Sequence, residues 1–144
     1  MRNAQNGFTL IEIMVVVVIL AVLGALVVPK ILENVDKARV TRAQSDLRAI
    51  QTALDLYRLD NFKYPTTEQG LLALVKQPVD PTITNYRSGG YLPAVPKDPW
   101  NKLYQYVSPG ADGREYEILT FGRDGKPGGE GYDADISTTT LDQK

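Results

Sequence analysis

Twenty-one consecutive residues, Phe8 to Val28, read FTLIEIMVVVVILAVLGALVV and carry one ionisable side chain, Glu12. As a helix rising about 1.5 Å per residue, such a run is about 30 Å long, the thickness of a bilayer's hydrocarbon core. A secretory signal peptide would have a shorter apolar core of about 7–15 residues, a cationic region before it and a small-residue cleavage site after it. Here Arg2 is the only basic residue ahead of the run, and no A-x-A pattern follows it. The pattern therefore predicts a helix that stays attached and spans a membrane. A carboxylate in such a helix costs about 2.5–3.5 kcal/mol at mid-membrane and less near the interface, so Glu12 calls for a partner.

Past Pro29 the pattern changes. Residues 30–59 contain neither Gly nor Pro, and Val40, Ala43, Leu47, Ile50, Leu54 and Tyr57 recur at spacings of three and four. That spacing predicts an amphipathic helix whose single apolar stripe packs against a small globular head. Glu33 and Lys37 form a favourable i, i+4 pair on another face. Pro29, which has no N–H for the carbonyl of Ala25, and Gly24 should weaken the helix between them.

From residue 61 onward the pattern is short and mixed. Pro65 is expected to end the long helix, and Thr66 with Gln69 fits a capping box for a second helix carrying Leu71, Leu72, Leu74 and Val75. A turn-rich stretch follows, with Gly89-Gly90-Tyr91-Leu92 and Pro96-Lys97-Asp98-Pro99-Trp100, in which Trp100 reads as a core or surface anchor. Residues 103–107 and 115–121, the latter with Tyr116, Ile118 and Thr120 on one face, predict an antiparallel hairpin around the turn at 108–113. The fold class is α+β: a long N-terminal helix, hydrophobic then amphipathic, packed on a head with a second helix, a hairpin or small sheet and an acidic loop. The polar, Thr-rich tail from Ser137 to Lys144 suggests fraying.

The acidic loop, residues 122–135, sets Asp124, Glu130, Asp133 and Asp135 among five glycines. Calcium takes six to eight oxygen ligands from carboxylates and carbonyls, which a glycine-rich backbone can supply. The EF-hand pattern does not fit: Lys126 and Gly128 stand where Asp or Asn belongs, and Asp135 replaces the final Glu. On the residues alone, a calcium site and a solvated acidic surface loop both remain open.

Composition narrows the chemistry. The 144 residues include no His and no Cys, which removes the usual zinc ligand and general base, disulfides and thiolate metal sites. A net charge of -1, from 16 basic and 17 acidic residues, gives no argument for a nucleic-acid partner. Without a pocket motif or cofactor fingerprint, no enzyme is expected.

Gly7-Phe8-Thr9-Leu10-Ile11-Glu12 resembles the processing site of type IV pilins and pseudopilins, and YPTTEQGL at 64–71 followed by Ala73-Leu74-Val75 is similar to the signature of major pseudopilins of type II secretion systems. The resemblance implies that residues 1–7 are a leader, removed by a prepilin peptidase between Gly7 and Phe8, with N-methylation of Phe8. It implies that residues 8–29 form a membrane and fibre-core helix, 30–60 a stem helix and 61–144 a periplasmic head. Glu12 would pair with the amine of a neighbouring Phe8 during assembly, and the stretch at Pro29 would unwind and lengthen the subunit in the fibre. The expected role is the major subunit of a pseudopilus, a homopolymer anchored in the bacterial inner membrane that drives folded proteins across the outer membrane. Minor pseudopilins and an inner-membrane assembly platform would be its partners.

For the acidic loop, the resemblance implies one calcium ion. Asp124, in Gly122-Arg123-Asp124-Gly125, is the leading ligand, with backbone carbonyls of Phe121 and Lys126, then Asp133 and Asp135, and Glu130 behind them. In a chain without cysteine, such an ion would take the place of the disulfide that closes many type IV pilins. The alternatives are a type IV pilin or DNA-uptake fibre subunit, and a membrane-tethered calcium-binding module that never polymerises.

Overall fold

The computed structural model describes residues 7–141. It divides into two compact units, the first ending at Asp36 and the second beginning at Lys37. The first unit holds the apolar run. Helix α1 begins at Leu10 and continues without interruption to Asn61, with Pro29 inside it, so the stretch from Gly24 to Pro29 is helical here. Its residues from Leu10 to Val28 are almost all exposed, as a helix made to be covered by lipid or by other subunits must be. The described residues contain one helix long and apolar enough to cross a membrane.

The second unit is built on the stripe. Ala43, Leu47, Ile50, Ala53, Leu54 and Tyr57 of α1 are buried together with Leu71, Ala73, Leu74, Ile83, Tyr104, Tyr106, Ile118 and Ile136. The expected stripe is thus the wall of the head's core, with Val40 only partly covered at its edge. Three strands, β1 (Gln105–Val107), β2 (Glu117–Thr120) and β3 (Ile136–Ser137), form one antiparallel sheet in the order β1-β2-β3. The register sets Tyr106 opposite Ile118 and Thr120 opposite Ile136, so that Ile118 and Thr120 both fall on the buried face. Two tyrosines fasten the sheet side to the helix side: the Tyr104 hydroxyl donates to Asp46 at 3.1 Å, and that of Tyr106 to the Pro65 carbonyl at 2.8 Å. Trp100 packs against this core, as expected of an anchor.

Four expectations change. Helix α1 ends at Asn61 rather than at Pro65, because Phe62 takes the left-handed conformation (φ 60°) that usually calls for glycine, its N–H bonding the Arg58 carbonyl at 2.7 Å. Pro65 is instead buried against the sheet. The capping box forms, with Thr66 N–H on Gln69 Oε1 at 3.0 Å and Gln69 N–H on Thr66 Oγ1 at 3.2 Å. However, Gly70 (φ 57°, ψ -164°) ends that turn, and only a single 3₁₀ turn, Leu71–Leu74, follows. The strands are shorter than their pattern, with Leu103 reduced to an isolated bridge to Lys97. The tail does not fray up to Leu141: β3 pairs with β2, helix α2 (Thr138–Leu141) follows, and the buried Thr138 Oγ1 accepts the Ile118 N–H at 3.3 Å. Asp142 to Lys144 lie outside the described residues, as do leader residues 1–6.

Burial pushes the hydroxyls of Tyr57 and Tyr106 up to about 12 and that of Tyr104 upward as well. A tyrosine whose folded pKa lies above its ordinary value near 10 contributes stability that is whole below that pH and lost as pH rises toward the folded value. Head stability should therefore stay level to about pH 10. It should then fall by about 1.4 kcal/mol per pH unit for each tyrosine still protonated in the fold, as followed by denaturant melts with tyrosine absorbance.

Candidate functional site

At the N-terminus, Gly7, Phe8 and Thr9 precede the first helical residue, and Phe8 is 80% exposed. The bond between Gly7 and Phe8 thus lies in non-helical chain, and among the described residues, its chain neighbours apart, none comes within 4 Å of where a Cβ at Gly7 would sit. Thr9 and Glu12 close a capping box of their own: Glu12 N–H donates to Thr9 Oγ1 at 3.3 Å, and Thr9 N–H to Glu12 Oε2 at 3.5 Å. The sequence carries the signal plainly, a Thr three residues ahead of a Glu before an apolar run. In this chain Glu12 therefore has a local partner, its own helix's first turn, where a negative charge also meets the positive end of the helix dipole.

The acidic loop runs from the end of β2 to the start of β3, and two glycines let its neck close. Gly122 (φ 61°) passes so near the opposite side that a Cβ would lie 2.8 Å from the Ala134 carbonyl, and at Gly129 (φ 83°) one would lie 2.5 Å from that of Asp133. Backbone bonds from Arg123 N–H to the Tyr132 carbonyl (3.2 Å) and from Gly125 N–H to the Phe121 carbonyl (3.1 Å) tie the neck.

The carboxylates are held separately. Asp124 Oδ1 accepts the Lys126 N–H at 3.0 Å, and Asp135 Oδ2 accepts the Gly128 N–H at 2.9 Å. Both oxygens of Asp133 are taken by Arg123, through Nε at 2.8 Å and Nη2 at 3.0 Å. Among the described residues no three acidic side chains converge as a metal cluster. One atom is left over: Asp135 Oδ1 is buried and has no hydrogen-bond partner. A buried oxygen of that kind, in an all-oxygen donor set on a glycine-rich neck, fits a hard divalent cation.

A buried carboxylate outside the loop, Asp98, gathers three donors of its own. Asp98 is 4% exposed. Its Oδ1 accepts the N–H groups of Trp100 (3.0 Å) and Lys102 (2.8 Å), while Oδ2 accepts the Thr120 hydroxyl from β2. The buried carboxylate thus folds the Pro99-Trp100 turn and fastens it to the sheet. Only an Asp followed by a turn was visible in the sequence, because one of its donors comes from 22 residues away.

Two outcomes follow. Asp98→Ala leaves three inward donors unpaired and should cost about 3 kcal/mol in denaturant unfolding, with Asp98→Asn losing less because it still accepts. The Arg123 guanidinium holds the Asp133 carboxyl below its ordinary value. A depressed acid contributes stability that is present above its unfolded pKa near 3.9 and lost as pH falls through the folded value. Arg123→Gln should therefore flatten the acid limb of the stability curve below about pH 4.

Comparison with known proteins covers nearly the whole chain. Residues 30–139 match the family described as Type II secretion system (T2SS), protein G, and residues 2–28 match the prokaryotic N-terminal methylation motif. The Type II secretion system core protein G of Pseudomonas aeruginosa is 54% identical over 136 residues, covering 94% of this chain and 95% of that protein. The protein of the same name from Vibrio cholerae is 54% identical over 137 residues, covering 95% and 93%. The crystal structure of the major pseudopilin from the type 2 secretion system of enterohaemorrhagic Escherichia coli superposes with a TM-score of 0.67 at 46% identity, covering 80% of this chain and 98% of that one. An exposed apolar helix behind a methylation motif, joined to a head of this fold and sequence, makes the chain a membrane-anchored member of the type II secretion system protein G family.

Proposed function

We propose that the chain is the major structural subunit of a pseudopilus, held in the bacterial inner membrane with its head in the periplasm and polymerised into a fibre that drives folded proteins across the outer membrane. The observation that carries this reading is the similarity to core protein G relatives along almost the full chain, head and methylation motif together. The role is structural and involves no catalysis. Polymerisation needs a head-to-tail interface that repeats without closing, and a long helix with an unpartnered apolar face offers one. Minor pseudopilins and an inner-membrane assembly platform are its partners in this reading.

Cleavage by a prepilin peptidase after Gly7 would give Phe8 a free, methylated amine at the start of α1. Glu12 would then serve two purposes, capping its own helix through Thr9 and pairing its charge with the amine of a neighbouring Phe8. Substitution separates them. Glu12→Gln keeps a capping-box side chain and removes the charge, so it should insert normally yet fail to form fibres, as Glu12→Ala should. Normal fibres from Glu12→Gln, scored by electron microscopy, would assign the residue to capping alone.

The acidic loop is proposed to hold one calcium ion, through Asp124, Asp135 and carbonyls of Phe121 and Lys126, with Glu130 nearby and Asp133 available only on release from Arg123. The support is the partnerless buried Asp135 Oδ1 and the oxygen-only donor set. Such an ion would supply linkage: it closes the loop on the sheet and stabilises the head by about 2.7 kcal/mol at a hundredfold excess over its Kd. Calcium should raise the melting temperature of the head by on the order of 10 °C over the chelated form. Asp124→Ala should abolish that difference, and equal melts with and without calcium would leave the loop as solvated surface.

A further inference from the structure

The apolar surface of α1 outruns the membrane span. Val28, Ile31, Leu32 and Val35 are exposed by 53%, 55%, 61% and 41%. At 100° per residue they fall within one arc of about 100°, while Lys30, Glu33 and Asp36 lie on the remaining circumference. From Leu10 to Val35 the helix rises about 38 Å, some 8 Å more than a hydrocarbon core of about 30 Å. The excess cannot enter that core, because three charged residues accompany it. It cannot be dismissed as an ordinary polar exit either, since its apolar positions keep helical spacing for two turns past Pro29. Amphipathic helices solve this by lying at the headgroup boundary with the apolar side toward the acyl chains. Pro29 has no N–H to bond the Ala25 carbonyl, which makes a bend toward that boundary inexpensive.

We propose that residues 29–36 form an interfacial segment that lays Ile31, Leu32 and Val35 on the surface of the membrane in which the chain is anchored. The occupant of this face is lipid, because the face is continuous with the span on the same helix and Lys30 comes about 30 Å along the helix from Leu10, one hydrocarbon thickness, where a long cationic stem can reach lipid phosphates. The segment holds the unassembled subunit at a fixed depth and tilt, and the same face must leave lipid when the subunit is withdrawn. This proposal rests on the membrane-anchored reading and adds to it the place where the anchor ends.

The chain has no cysteine, so single labels are clean. Full-length protein carrying Val18→Cys, Lys30→Cys, Ile31→Cys, Leu32→Cys, Glu33→Cys or Val35→Cys would be labelled with an environment-sensitive fluorophore. It would then be reconstituted in phosphatidylethanolamine and phosphatidylglycerol vesicles, with enough lipid to keep subunits apart. Labels at 31, 32 and 35 should be several-fold less quenched by aqueous iodide than labels at 30 and 33. Equal quenching at all five positions would overturn the interfacial segment while a shielded Val18 label left the span intact. An unshielded Val18 label would overturn both. Protection of 31, 32 and 35 that appears only at high protein density would make a second copy the occupant and overturn the proposal.

Discussion

The head depends on one face of α1. Six of its fourteen buried apolar residues, Ala43, Leu47, Ile50, Ala53, Leu54 and Tyr57, come from that helix, and the other eight come from short pieces of the head. A three-stranded sheet with strands of two to four residues is too small to stand alone. It is held because Tyr104 and Tyr106 bring their rings into the core and their hydroxyls to Asp46 and the Pro65 carbonyl. The helix that begins with the apolar run therefore also supplies a wall of the head's core.

That dependence explains which parts of the fold could be read in advance. The apolar run was legible because it is unbroken over about twenty residues, and the stripe because it keeps one helical period over many. The Thr66–Gln69 box was legible too, but its consequence was not, since Gly70 takes a conformation that ends the turn before a second α-helix can grow. Thr9 and Glu12 carry the same capping pattern, which the charge of Glu12 overshadows in the sequence. Strand β3 has only two residues, and its pairing with β2 rests on a loop closure that no local pattern announces. Phe62 ends α1 in a left-handed conformation where a glycine would have been the readable sign.

The candidate site was legible as composition and not as geometry. Four carboxylates among glycines are plain in the sequence, but their partners are not: Arg123 takes both oxygens of Asp133, while Asp124 and Asp135 each accept a backbone N–H within the loop. Asp98 was invisible as a keystone for the same reason, since its worth lies in donors that only the fold gathers. The glycines at 122 and 129 allow the backbone of the neck to pass close to that of Asp133 and Ala134. The buried, partnerless oxygen of Asp135 is what a bound cation would complete.

The central claim is that the chain is a processed, membrane-anchored fibre subunit, and the state of its N-terminus tests this most directly. Intact-mass and N-terminal peptide analysis of the protein recovered from bacterial membranes should show a chain that begins at Phe8 and carries one added methyl on its amine. A chain that retains Met1 through Gly7, or is cut after the apolar run, would contradict the account and make the helix an ordinary tether or a signal sequence.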